Sequence, residues 1–474
     1  MTINKTNITT TLQEVHRLLK EDNSISPPIR VMLNLLIIII EALLSKMGLN
    51  STNSSIPPSR DPNRKRGSKK NDGDKKRKPG AQPGHVGSTL SKEPNPDFVQ
   101  VLEIDRRKIP QGDYVNAGYD IRQVIDIDIC KQVTEYHAEI LQNAQGDKFV
   151  AEFPSGVSRP VQYGASVKTQ AVYLSQQQLI PYDRVRDYFT DQCRIPISTG
   201  TLVSFNAEAF AALEEFEKIV IRKLIEQDVL HADETGMNVN GKLMWLHCVS
   251  NTQWTMFSPH AKRGGEAMKD MGILEHFGGI LCHDHWKPYF EFSCMHSLCN
   301  AHHLRELEHA LEHDGQQWAK AMTELLLATN KSTHEHGGSL PEDMSQKVIE
   351  NYRHIIAQGD RECPAPDPNT RVGKRGRIPR TKSRNLLERL RDFETETLRF
   401  MMDQNVPFTN NQGENDIRMT KVQQKISGCF RAFKGAEVFC RIRSYLSTCR
   451  KHGMAATEAL QILFDGNLPK FIVE

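Results

Sequence analysis

Apolar and polar positions divide this chain into stretches of different period. Residues 1 to 50 carry a helical pattern interrupted at Pro27 and Pro28, and they include the apolar run VMLNLLIIIIEALL over 31–44. Asn34 and Glu41 fall inside that run, which is shorter than the roughly 20 residues a membrane span needs, so it predicts a buried or self-associating helix. Over 51–96 apolar side chains almost vanish and Ser, Pro, Gly, Lys and Arg take over, the composition of a solvated linker. From about 97 the spacing is extended: RQVIDIDICKQVTEYHAEIL alternates apolar and polar residues and meets NAQGD, a turn. Helical spacing returns from about 164 and predicts three helices, one broken at Pro181, the last opened by a Ser or Thr cap after RIPIST. That layout suits a helix-turn-helix with the segment after Ser198 as its reading helix, and it suits three packed helices without DNA equally well.

The next stretch predicts a sheet. VLHADETGMN (229–238) is an apolar approach ending in Asp233 and Glu234, and KLMWLHCVSN and QWTMFSPH read as two further strands. A helix over 264–275 leads to FGGILCHDHWKPYF, another apolar strand, which ends at Asp284. FSCMHSLCNAHHLRELEHALEH predicts a short strand and then a helix, and 314–405 is helical and charged with no strand. VPFTNNQGENDIRMTKVQQKI reads as a turn at Asn410 and Asn411 opening a polar-faced helix. Two strands ending in Asp, with strands between them and a late helix carrying Glu, predict a mixed α/β sheet with a site along one edge.

Composition bounds this picture without redirecting it. A hydrophobic fraction of 38% and a charged fraction of 25% fit a soluble globular chain, and 474 residues suffice for about three domains. Charge is more informative. The net value is only +3, yet Arg60 to Lys78 carries ten Lys and Arg against three Asp, so the remainder is mildly acidic. A local basic run of this kind is either a plain flexible tether or a phosphate-contacting segment that binds by releasing counterions. The ten cysteines form no C-x-x-C pair, which predicts reduced thiols in a cytosol rather than a disulfide framework.

Three carboxylates meeting at a sheet end raise one another's pKa and cannot all ionise without cations. A hard divalent ion such as Mg²⁺ resolves this with oxygen ligands, and a pair of such ions can serve phosphodiester chemistry. On a strand Asp233 and Glu234 face opposite sides, so one of them joins the site, and His231 shares the side of Asp233. Glu414, Arg418, Lys421 and Lys425 lie on one helix face, as an ion-pair stripe or as a metal ligand beside DNA contacts. The densest Cys/His cluster is Cys294, His296, Cys299, His302 and His303. Its Cys299–His302 pair is either a zinc pair or ordinary packing at a helix start. His283 and His285 are structural neighbours of Asp284 or tune it, and Trp286 and Tyr289 pack the core or stack on a base. Arg371, Lys374, Arg375 and Arg377 form a second basic cluster, a DNA contact or a solvated loop.

The blocks ADET, CHDHWKPY, CNAHHLREL and TNNQGENDIR, in that order, resemble the catalytic blocks of the insertion sequence 66 family of bacterial transposases. NSSIPPS and KKRKPGAQPGHVG resemble its N-terminal region, and the likeness runs in patches from about 50 to 460. The resemblance implies a DDE-type transposase on a ribonuclease H-like fold, with Asp233, Asp284 and Glu414 as catalytic acids holding Mg²⁺ or Mn²⁺. It implies cleavage at the element's ends and joining of the freed 3′-hydroxyls to target DNA, with no covalent enzyme intermediate. Arg64, Lys65, Arg66, Lys75, Lys76, Arg77 and Lys78 of the basic run, with Arg418, Lys421 and Lys425, are then the expected DNA contacts. The expected partners are terminal inverted repeats, target DNA, further copies of the chain and accessory proteins of the element, with no membrane. The expected location is the bacterial cytoplasm, at the nucleoid. A structure-specific nuclease on the same fold, or an inactive DNA-binding derivative, are the alternatives. Relatives often carry two C-x-x-C pairs after the basic linker; here that stretch has only Cys130, so no zinc is expected in the 97–160 module. The expected organisation is a helical 1–50, a basic linker 51–96, a small β-rich module 97–160 and a helical 161–226. A catalytic domain over 227–313 and 406–430 follows, split by a helical insertion 314–405, with a helical tail 431–474.

Overall fold

The structure is a computed structural model that describes residues 26–47, 90–367 and 380–473, with a few residues before 20. The basic residues Arg64, Lys65, Arg66, Lys75, Lys76, Arg77 and Lys78, and the cluster Arg371, Lys374, Arg375 and Arg377, lie outside the described residues.

Helix α1 (Pro27–Met47) begins at the proline pair instead of breaking there. Proline lacks only an N–H that the first helical turn leaves unbonded. Among its described side chains Ile37 is buried, whereas Val31, Met32, Leu35, Leu36 and Ile39 are exposed. No described helix is long and apolar enough to cross a membrane.

The alternation over 122–141 builds less sheet than its period suggests. Only β1 (Ile140–Gln142) pairs, antiparallel with β2 (Lys148–Val150) across the predicted turn, and a 3₁₀ turn occupies Arg106–Lys108. Ile140, Leu141, Phe149 and Val150 are all exposed. Alternation makes a stable sheet only when another layer covers the apolar face, and a lone two-stranded ribbon lacks one.

Helix α2 (Ala165–Val172) runs into a π-helical turn (Tyr173–Gln177), and α3 (Tyr182–Asp191), α4 (Thr199–Ala212) and α5 (Glu214–Ile225) follow. Pro181 starts α3, and Ser198 caps α4 by accepting the Thr201 N–H at 3.0 Å. Helix α4 buries Leu202, Phe205, Asn206 and Ala209 and contains no Lys or Arg. Its polar side chains are neutral Thr, Ser and Asn with one Glu, and its apolar face packs into the core, an arrangement that both the helix-turn-helix and the three-helix alternatives allow.

Five strands form the central sheet: β3 (Val229–Val239), β4 (Lys242–Ser250), β5 (Thr255–His260), β6 (Ile280–His283) and β7 (Met295–Leu298). Their order is β5-β4-β3-β6-β7; β4 is antiparallel to both β3 and β5, whereas β6 pairs parallel with β3 and β7 parallel with β6. Asn240 and Gly241 turn β3 into β4 with φ of 49° and 77°, the positive values that a tight two-residue hairpin needs. The helix expected over 264–275 contracts to α6 (Gly265–Asp270).

Alternation along β3 sends Leu230, Ala232 and Glu234 to one face and His231, Asp233 and Met237 to the other. The first face joins the main core, where Leu230, Ala232, Val249 and Leu281 pack with Phe216 and Val220 of α5. The second face meets two layers. Ile280 and Cys282 pack with Trp318, Tyr352 and Leu386 of a helical bundle. That bundle comprises α7 (Asn300–Asp314), α8 (Gln317–Glu335), α9 (Glu342–Glu362), α10 (Lys382–Asp392) and α11 (Glu394–Leu398). Met237, Leu246 and Phe257 pack with Ile417 of α12 (Asn411–Ser427) and Phe439 of α13 (Phe433–Lys451).

The segment expected to be a C-terminal tail is part of this core. Ile442 and Tyr445 of α13 are fully buried, and α14 (Ala456–Phe464) and α15 (Lys470–Val473) follow it. Helix α13 also covers the open edge of β5: Ser444 Oγ accepts the Phe257 N–H at 2.8 Å, and Thr448 Oγ1 accepts the Thr255 N–H at 3.1 Å. Two hydroxyls thereby satisfy edge amides that would otherwise be left without a ladder.

Candidate catalytic centre

Asp233 does not end its strand, as the sequence pattern suggests, because the eleven-residue β3 runs on past it to Val239. What ends is its parallel neighbour. Register pairs Val229, Leu230 and His231 with Ile280, Leu281 and Cys282, and β6 stops at His283, one residue before Asp284. Both aspartates therefore emerge where the parallel ladder gives out, on the α12 side of the sheet. The Glu234 N–H donates to Asp233 Oδ1 at 2.9 Å, and the Trp286 N–H donates to Asp284 Oδ1 at 2.9 Å.

The third carboxylate arrives on α12, whose start is fixed by Asn410. The Asn410 amide donates to the Ala232 carbonyl at 2.8 Å, its Oδ1 lies 2.7 Å from His231 Nδ1, and its backbone N–H donates to Cys299 Sγ at 3.1 Å. Because Oδ1 must accept, His231 carries its proton on Nδ1, and burial keeps this imidazole below its ordinary pKa and neutral. A side chain at Gly413 would stand 3.2 Å from the Asn410 amide, so a small residue belongs just before Glu414. Two residues beyond Glu414, Asp416 pairs with Lys451 Nζ of α13 at 2.7 Å, both side chains largely buried. Lys421 Nζ donates to the Gly236 carbonyl at 2.7 Å. These ties press the first half of α12 against β3.

The result is a crowd of negative charge. Asp233 is raised to about 8, first by burial and then by Glu234, Asp284 and Glu414. Glu414 Oε1 sits 3.8 Å from both His302 Nδ1 and the Arg305 guanidinium, and neither Glu414 Oε1 nor His302 Nδ1 has a hydrogen-bond partner. Asp233 feels the charges of both Asp284 and Glu414, and carboxylate oxygens of this kind are the donor type a hard divalent cation takes. Cys299, His302 and Glu414 also offer Sγ, nitrogen and oxygen atoms all within 4.8 Å of one another. Arg418, Lys421 and Lys425 lie exposed along α12, Lys421 with its amine held on β3.

Glu234, on the opposite face, serves as a brace. It accepts the Tyr289 hydroxyl at 2.6 Å and a forked pair from Arg263 at 2.9 and 2.6 Å. The Arg263 guanidinium stacks 4.1 Å from the Trp286 ring centre and 4.8 Å from that of Trp245. Burial nonetheless holds Glu234 above its ordinary pKa, with Tyr289 and Arg263 acting against that rise. Tyr289 and Trp286, both downstream of Asp284, are thus tied to β3 from behind. His283 is fully buried and packs on Tyr289 at 4.7 Å; burial lowers it to about 3, so it is a neutral structural residue.

Sequence reasoning singled out Asp233, Asp284, Glu414, Cys299 and His302, and the structure gathers them around the start of α12. It missed Asn410 as a clamp, Arg263 as the partner of Glu234, and the Asp416–Lys451 pair. Asn410 was visible only as a turn residue, although a polar side chain just ahead of a helix is also the place for a tether.

Two family models match the chain. One, described as Transposase IS66 family, covers residues 160–438, well over half of the 474, and the other, described as a family of unknown function (DUF6444), covers 13–91. No curated relative matches.

The raised Asp233 has a measurable consequence. Its pKa moves from 3.8 to about 8 on folding, so the metal-free native chain holds more protons than the unfolded one across that interval. Stability therefore falls as pH rises, and Glu234 adds the same sign. Between pH 6.5 and 8, where the histidines titrate alike in both proteins and cancel in the comparison, calorimetry of metal-free protein is expected to show a more negative change of Tm with pH than in Asp233→Asn. Mg²⁺ is expected to raise Tm more at pH 8 than at pH 6.5. An identical slope in the variant would refute the assignment.

Proposed function

The chain belongs to the IS66 family of transposases, and from that membership we propose that it cleaves the ends of an insertion sequence and joins the freed 3′-hydroxyls to target DNA. The observation that carries this reading is the convergence of two neighbouring parallel strands and α12, with Asp233 sensing both Asp284 and Glu414.

We read the sheet as a ribonuclease H-like core. Its order, third-second-first-fourth-fifth with the second strand antiparallel and the last two parallel to the first, supports that reading. The catalytic domain then comprises 227–313 and 406–430, extended by α13, and the bundle over 314–405 is its insertion.

Asp233, Asp284 and Glu414 would hold Mg²⁺ or Mn²⁺, which supplies charge to a phosphate oxygen and lowers the pKa of a bound water. The chain's own residues bind and orient. Arg418 and Lys425, on the exposed side of α12, neutralise phosphates of a strand laid beside the acids, and Lys421 adds its charge from its seat on β3. Asn410 and the Asp416–Lys451 pair hold Glu414 in place, while Glu234, Tyr289 and Arg263 stop the segment after Asp284 from shifting. Hydrolysis of the end phosphodiester leaves a 3′-hydroxyl. That hydroxyl then attacks a target phosphorus in line, forming one P–O bond as the target's own P–O3′ bond breaks. No enzyme side chain becomes covalently attached, consistent with a sequence that carries no G-x-S-x-G nucleophile motif. The basic run 60–78 supplies longer-range phosphate contacts, and paired ends call for at least two copies of the chain.

Purified protein with Mg²⁺ and a labelled end duplex tests the reading: joined products support it, cuts alone indicate a nuclease, and shifts alone an inactive binder. Asp284→Ala is expected to lower the cleavage rate by roughly a hundred- to a thousandfold, the scale on which transition-state charge stabilisers act, with little change in DNA affinity. Equal loss of both would remove Asp284 from the chemistry. Deleting Arg60 to Lys78 is expected to weaken binding and flatten its dependence on log salt, and an unchanged slope would rule out phosphate contacts there.

A further inference from the structure

The donor set at the start of α7 differs in kind from the carboxylate trio it adjoins. Cys299 caps α7 and is buried, and His302 stands three residues on, so helical spacing brings both side chains to the same side. Glu414 faces them from α12. Sulfur, imidazole nitrogen and carboxylate oxygen lie within 4.8 Å of one another, and His302 Nδ1 and Glu414 Oε1 both lack a hydrogen-bond partner. A tetrahedral ion bound at about 2.0–2.3 Å from each ligand needs them only slightly closer together. Thiolate and imidazole select zinc over magnesium, and three protein ligands leave a fourth position for water. Arg305, now 3.8 Å from the same Glu414 oxygen and partly exposed, would have to turn outward.

We infer that Cys299, His302 and Glu414 form an inhibitory site for a thiophilic divalent cation, zinc by its chemistry, which withdraws Glu414 from the carboxylate trio and silences the catalytic centre. The regulatory half of this inference rests on the transposase reading above; the binding half does not. Binding exchanges the Cys299 thiol proton for a metal–sulfur bond, and the proton leaves to solvent. Glu414 Oε1 already faces His302, so an ion held there draws the carboxylate and part of its charge toward Cys299 and His302 and leaves it a poorer ligand for a hard oxygen site with Asp233 and Asp284. The centre is therefore active with magnesium and off with zinc.

The binding test uses the full chain and Co²⁺ as a visible stand-in for zinc. One equivalent of Co²⁺ is expected to give a thiolate-to-cobalt charge-transfer band and tetrahedral visible bands, displaced by Zn²⁺. Cys299→Ser, which keeps an acceptor for the Asn410 N–H, and His302→Gln are each expected to weaken Zn²⁺ binding by at least roughly a hundredfold, more than a supporting residue would. No charge-transfer band, or a band retained in Cys299→Ser and so owed to the exposed Cys130 or Cys429, overturns the site. In the strand-cleavage assay with Mg²⁺, one equivalent of Zn²⁺ is expected to stop the wild type, a chelator to restore it, and Cys299→Ser to resist zinc relative to its own zinc-free rate. Cleavage unaffected by bound zinc overturns the inhibitory role. A chain that cleaves no DNA under any condition fails as a transposase, and the cobalt titration still decides the site.

Discussion

Like charges crowded in a poorly hydrated place are the constraint on which this fold turns. Asp233 alone would prefer to be neutral at the end of the parallel ladder, and Asp284 and Glu414 make its ionised form still less favourable. A protein that only needed stability would place apolar side chains there. Much of the surrounding architecture instead holds the acids in place, which the proposed function answers with a cation.

The holding elements act from three sides. Asn410 uses both ends of its amide to fasten the start of α12 to β3, and its backbone N–H reaches Cys299 at the start of α7. Lys451 reaches from α13 to Asp416, so the helix that covers the edge of β5 also fixes the helix that carries Glu414. Behind the sheet, Arg263 between two tryptophans and the Tyr289 hydroxyl tie the segment after Asp284 to Glu234. The two adjacent acids of ADET thus part by strand alternation alone: Asp233 faces the side of Asp284 and Glu414, and Glu234 faces the brace.

Much of this was legible in the sequence, and the misses have physical causes. All five sheet strands and the late helix follow from hydrophobic period, because burial on two faces leaves a strong signal in short runs such as GGILCH. The same period misleads over 122–141, where the alternation is present and a covering layer is not. The C-terminal segment reads as a tail because its role is a relation to β5 made by Ser444 and Thr448, which no local pattern records. Ordered acidic blocks pointed to Asp233, Asp284 and Glu414, whereas Asn410, Arg263 and Lys451 act through partners 29 to 179 residues distant. Contacts of that span follow from topology and leave no spacing to read.

The proposed function requires one cation to answer three acids drawn from separate elements. Electron paramagnetic resonance titration of Mn²⁺ into zinc-free protein measures this directly. Glu414→Gln is expected to weaken Mn²⁺ binding by about tenfold or more, about 1.4 kcal/mol, as Asp233→Asn and Asp284→Asn do. Unchanged Mn²⁺ affinity in Glu414→Gln, with both aspartate variants impaired, would contradict it by leaving α12 outside the metal's reach.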